Sequence, residues 1–203
     1  MKLKFPSRSA LSCLALLAAT TALGAPPAGA PADPDPALAR ARAAAVSFSG
    51  QLRGALQAAM AESGPAAAVD VCHTEAPRIA AEVMARHDLR LGRVALPGRH
   101  RNPAQAAAGW QLDTLERFQK AVDAGAPAAE QVAVIRSNLP EGVALRMMRG
   151  IVTEPACLGC HGKDIAPAIR DAIRLRYPDD GAIGFAVGDL RGALWVEVPA
   201  RKP

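Results

Sequence analysis

Cys157, Cys160 and His161 stand in the order C-x-x-C-H inside EPACLGCHG, residues 154–162. Few short patterns constrain a chain this strongly. Two thiols separated by two residues reach the two vinyl groups of one haem, and the histidine that follows is placed under the iron as its proximal ligand. Gly159 and Gly162 let the loop approach the macrocycle closely. Zinc is a weaker reading, because it needs four ligands, usually in two pairs. Cys157, Cys160 and His161 would supply three, with Cys72 or His73 as a fourth, and adjacent Cys160 and His161 chelate one ion awkwardly. A redox C-x-x-C normally follows a strand and opens a helix in a βαβ unit. The sequence here reads as antiparallel strands instead.

The N-terminus carries an independent indication of compartment. Lys2, Lys4 and Arg8 precede an apolar run, LSCLALLAATTALG, and Ala22-Leu23-Gly24 offers small residues for cleavage. This layout predicts a secretory signal peptide over residues 1–24. The run is about 14 residues, short of the roughly 20 that span a bilayer. A periplasmic protein with no stable membrane span is therefore expected, and covalent haem attachment takes place outside the cytoplasm. Cys13 falls in the discarded leader.

The whole chain has 203 residues, 24 basic and 19 acidic, for a net charge of +5. Removing the three leader cations leaves 21 basic against 19 acidic residues, net +2. That balance, with scattered basic residues, gives no electrostatic case for nucleic acid. The remaining cysteines are Cys72, Cys157 and Cys160, an odd number for an exported chain.

Residues 25–36, APPAGAPADPDP, read as a Pro/Ala-rich linker. Asp35 is a candidate N-cap with Pro36 in the first helical turn. A long helix is expected from Ala37 to about Glu62, and a second helical stretch from about Ala66 that Pro77 kinks or restarts. LRLGRVALP reads as a short strand. GRHRNPAQAAAG reads as a loop into a helix with an apolar face of Trp110, Leu112, Leu115, Phe118 and Val122, ended by Gly125. GVALRMMRGIVT reads as a strand and PAIRDAIRLRYP as a helix. The two apolar runs of GAIGFAVGDLRGALWVEVP predict a β-hairpin turned at GDLRG, with Asp189 and Arg191 fixing the turn. The fold class is α+β: long N-terminal helices packed against a small antiparallel sheet, over residues 37–199. A four-helix cytochrome c-prime is the alternative, and it needs a helix at the C-terminus.

No Met, His or Cys follows His161, so a second protein ligand to iron must lie upstream. Cys72, His73, His87, His100, Met60, Met84, Met147 and Met148 are candidates. Cys72 and His73 are neighbours on a helix, about 100° apart, so only one can face the iron. Met60 and Met84 read as core, as does one of Met147 and Met148; Tyr177 and Trp195 also read as core. Arg101 and Asn102 are candidate partners of the haem propionates, with Asn102 alternatively capping the next helix.

AVDVCHTEAPRIA, RHRNPAQAAAGW, LRMMRGIVTEPACLGCHG and YPDDGAIGFAVGDLRGALWVEV together resemble the PAS-like single-haem c-type domains, a domain family of unknown function. The resemblance covers about residues 40–198. One departure is Gln111, where the family tends to have an acidic residue after the Trp. The resemblance implies a PAS-like fold, one covalently attached haem c, and axial ligation by His161 and Cys72. A coordinating thiol is deprotonated, and a thiolate stabilises Fe(III) over Fe(II). The expectation is a low-potential haem whose Cys72–iron bond weakens on reduction, opening a site for a small diatomic ligand. Two protein ligands leave no open iron position at rest. Electron transfer with a separate redox partner, or redox or small-ligand sensing, is expected ahead of a peroxidase-type enzyme.

Overall fold

The computed structural model describes residues 35–201. The signal peptide over 1–24 and all but the last two linker positions lie outside the described residues.

Helix α1, Pro36–Ser63, begins where the sequence places it. The Asp35 carboxylate accepts the N–H groups of Ala37 (2.9 Å) and Leu38 (3.1 Å). Such a cap satisfies two N–H groups of the first turn that have no partner within the helix. Two short segments follow, α2 (Ala68–Asp70) and a π-helical turn (Val71–Glu75), before α3, Ala76–His87. Pro77 does not break the chain into separate helices. It sits in the first turn of α3, and the turn before it widens so that the Ala76 N–H reaches the Val71 carbonyl. Lacking an N–H, Pro77 leaves the preceding turn without a regular donor. Isolated π turns of this kind are frequent at functional sites, and this one carries Cys72.

Strands β1 (Arg90–Val94), β2 (Val132–Ile135), β3 (Val143–Val152) and β4 (Leu190–Pro199) form one antiparallel sheet in the order β1-β4-β3-β2. Between them lie α4 (Trp110–Asp123), α5 (Leu158–His161) and α6 (Pro167–Arg176). The α+β architecture is as expected, and the C-terminal run is a strand rather than the helix a four-helix bundle needs. β2 was not legible in advance: its four residues are too short to show alternation.

Side chains on alternating sheet positions point to opposite faces. Met147 packs with α1 and α3 against Leu145, Val196 and Val198, whereas Met148 packs with Leu115 and Phe118 of α4. Both methionines are buried, not one, because both sheet faces are covered. Met60, expected in the core, is exposed near the end of α1; Met84 is partly buried against the first cluster. The predicted face of α4 holds, with Trp110, Leu112 and Val122 around buried Leu115 and Phe118. Trp195 packs edge-on against Trp110 at 6.4 Å. A third cluster joins Ile165, Ile169, Ile173 and Tyr177 to Val69, with Cys160 against it.

The predicted C-terminal hairpin is incorrect. Leu190–Pro199 pairs with β1 and β3, and the preceding run, residues 181–187, is no strand. Asp189 does fix the turn, accepting the Ala186 N–H at 2.8 Å. The backbone groups of the run have another destination. The Gly184 and Phe185 N–H groups donate to the carbonyls of Gly162 and His161, each at 3.0 Å. A segment that reads as half a hairpin is instead a strap over the C-x-x-C-H turn.

Candidate haem-binding site

The motif lies on two tight turns, a 3-10 turn over Pro155–Cys157 running into α5. Glu154 opens it: the Cys157 N–H donates to the Glu154 carbonyl at 2.9 Å, and the Glu154 N–H points to the Cys157 sulfur at 3.4 Å. The Glu154 carboxylate takes a two-pronged contact from Arg53 of α1 at 3.0 and 3.3 Å. Gly162 closes the turn, where a Cβ would stand 2.7 Å from the Leu158 carbonyl oxygen.

The ring of His161 is held at one nitrogen. Its Nδ1 lies 2.7 Å from the Ala182 carbonyl oxygen. A carbonyl only accepts, so Nδ1 carries the proton and Nε2 keeps its lone pair. Burial, with the nearby Arg191 and Arg101 charges, pushes the imidazole far below its ordinary range, to about 2. It is therefore neutral, the form that ligates metals. Phe185 meets the ring edge-on at 6.4 Å.

His161 opens onto a cavity of about 550 Å³, which also receives solvent. Cys72 lines it from the π turn, Arg93 from β1, His100, Arg101 and Asn102 from the following loop, and Tyr177 and Arg191 from the C-terminal half. The structure thus separates the two neighbours on the helix. Cys72 lines the cavity, whereas His73 is exposed and lies edge-on to Tyr177 at 5.4 Å. Of the other upstream candidates only His100 lines it, and the His100 Nδ1 is buried without a hydrogen-bond partner. His87 and the four methionines do not. Cys72, Cys157 and Cys160 are all free thiols. Burial raises the Cys160 thiol above its ordinary range. Among the described residues no group of three or more His, Cys, Asp or Glu converges as a zinc site needs.

Arg101 is buried and already engaged. Its guanidinium bonds both oxygens of Asp180 at 3.1 Å and the Cys160 carbonyl at 2.6 Å. Asn102 caps the short turn after it, accepting the Ala104 N–H at 2.9 Å, the alternative that the sequence offered. The residues that sequence reasoning missed are Arg93 and Arg191. Arg191 does not fix a hairpin turn: its Nη1 lies 3.5 Å from the His161 Nε2, and its Nε is buried with no partner. Arg93 stacks over Phe48 at 5.9 Å. Neither makes an ion pair among the described residues, and burial lowers the proton affinity of both guanidinium groups. The available signal was an arginine alternating with buried Leu91 on one face of β1.

Two glycines shape the walls. A Cβ at Gly181 would stand 2.1 Å from the Gly98 carbonyl oxygen. Gly192, at φ +152°, would put one 2.3 Å from the Val94 carbonyl oxygen. Both allow the strap and β4 to close on the loop that follows β1.

Residues 33–199 match the model of the Tll0287-like family, and the chain belongs to that family. The fold is similar to a solved structure described as the crystal structure of the cyanobacterial heme-protein Tll0287. The two are 26% identical with a TM-score of 0.58, over 80% of this chain and 94% of the other. No curated protein matches the chain.

Proposed function

We propose that this member of the Tll0287-like family is a haem protein that carries one covalently attached haem c. Cys157 and Cys160 would form the thioethers, and His161 and Cys72 would ligate the iron. The observation that carries the reading is the His161 hydrogen bond to Ala182, which turns the Nε2 lone pair toward a cavity that Cys72 also lines, where Arg191 Nη1 approaches it at 3.5 Å. The heme-protein of similar fold supports the cofactor class.

The cavity has the charge that such a group needs. Arg93 and Arg191, both partly buried, bring two cations to its wall with no carboxylate partner among the described residues. Partly buried cations favour an opposite charge beside them, which supports a cavity that accepts an anion. A thiolate at Cys72 and the propionates of a haem both answer to that description. One Nε2 lone pair serves one partner, so Arg191 and a metal are competing occupants of that atom. When bound, a haem supplies one-electron chemistry or a binding position for a small ligand.

The residues of this chain set which of these is favoured. Cys72, as a thiolate, would favour the ferric state, and with His161 it would supply two protein ligands to the iron. The function supported best is electron transfer with a separate redox partner, or redox and small-ligand sensing, in the periplasm. The test is production with a periplasmic c-type maturation system, followed by mass spectrometry of the denatured protein. One haem retained after denaturation is expected. A chain that leaves maturation without haem would remove the proposal.

A further inference from the structure

Arg101 and Asp180 form the most buried ion pair among the described residues, with side chains 8% and 9% exposed. We infer that this pair is the positioning element that fixes the orientation and donor strength of His161; the inference rests on the haem reading above. Arg101 reaches the motif directly, donating to the carbonyl of Cys160, the residue before the histidine, at 2.6 Å. It reaches the histidine ring by a second route. The Asp180 carboxylate that it holds also accepts the Ala182 N–H at 2.9 Å. The Ala182 carbonyl then accepts the His161 Nδ1–H at 2.7 Å. The circuit closes through the Cys160–His161 peptide bond, so backbone and ring of the ligand are anchored by one guanidinium.

The circuit is further braced. The Gly181 N–H donates to the His100 carbonyl at 3.0 Å, beside Arg101, and the glycine is pressed against the Gly98 carbonyl. The turn that presents Ala182 therefore has little freedom to shift. A hydrogen bond donated from Nδ1 raises the basicity of Nε2, and groups of this kind tune a metal through its ligand. The pair is thus a positioning device, acting on His161 rather than touching a cofactor. Two of the three Arg101 nitrogens are occupied by Asp180 and Cys160.

The test compares haem-loaded wild-type protein with Asp180→Ala, Asp180→Asn and Val83→Ala. Asp180→Ala removes both the charge and the acceptor for the Ala182 N–H. Asp180→Asn keeps an acceptor but loses the charge. Val83, fully buried on α3 in the first core cluster, is a control for lost stability alone. Covalent haem is expected in all of them, because no thiol is altered. The midpoint potential of Asp180→Ala rises and its ferric EPR lines shift, since a weaker imidazole donor stabilises Fe(III) less. Asp180→Asn moves both in the same direction by less, and Val83→Ala leaves both at wild-type values. Wild-type potential and EPR in Asp180→Ala would overturn the inference. If that variant does not accumulate, Asp180→Asn decides alone: a shift upholds the inference and wild-type values sink it. Failure of the haem reading shows separately, as wild-type protein without haem.

Discussion

Cys72 and His161 line the same cavity, one from a π turn ahead of Pro77, the other from the turn that follows β3. The chain between them includes three strands and α4, so the pairing exists only in the folded protein. Converting Cys72 to Ser removes the sulfur but keeps a small polar side chain. The ferric protein is expected to lose its thiolate spectrum while retaining covalent haem. His100 is the other upstream candidate on the cavity, with a partnerless Nδ1. An unchanged low-spin ferric spectrum in Cys72→Ser would show that the thiol is not the ligand, and a parallel His100→Ala variant would then identify the nitrogen.

Replacing both Cys157 and Cys160 by Ser leaves the His161–Ala182 bond in place. The expected product binds haem without retaining it, so denaturation in acidified organic solvent extracts the group. Retention after that treatment would contradict thioether attachment at these residues.

Arg191, which has no carboxylate partner among the described residues, is a burden on the haem-free chain. Changing it to Met keeps the length of the side chain and removes the charge. The haem-free protein should become more stable by about 1–3 kcal/mol, as when buried charges give way to apolar groups. The haem-loaded protein should gain less or lose stability, because an anion then loses its cation. Chemical denaturation of both forms reads the two differences, and equal gains would argue that Arg191 faces no anion.

Asp35 holds the start of α1 and also meets Arg136 at 2.8 Å. Its carboxyl is held below the ordinary 3.8, first by the Leu38 N–H and then by Arg136. A depressed folded value means that the stabilisation is complete above the unfolded value, and fades as pH falls through the folded one. Asp35→Ala is expected to lower the melting temperature at neutral pH. The gap to wild type should close as pH falls through the lowered carboxyl value and the carboxylate is protonated. A gap that persists in acid would mean that the carboxylate charge contributes nothing.

What could be read from the sequence was what local chemistry dictates. The C-x-x-C-H spacing, the Asp35-Pro36 helix start and the apolar face of α4 depend on residues within a turn or two of each other. The run over residues 181–187 could not be read, because glycine and apolar residues alternate there as they do in a strand. Its partner is the peptide of His161, far away in sequence, and no pattern within the run encodes that. Arg101 was picked out for an external anion, and the contact that could not be read was Asp180, which lies far along the chain and meets it only in the fold. Arg93 and Arg191 were missed for a related reason. A basic residue within a strand reads as solvent-facing until the tertiary structure encloses it.

The central claim is that one chain brings a thiolate and a neutral imidazole to the two faces of a haem. EPR spectroscopy of the ferric protein tests it most directly, with optical spectra in both oxidation states. The account predicts a low-spin ferric signal with the narrow g-spread of thiolate–imidazole ligation, lost in Cys72→Ser and His161→Ala. A high-spin five-coordinate ferric signal at rest, or a low-spin signal indifferent to Cys72, would contradict it.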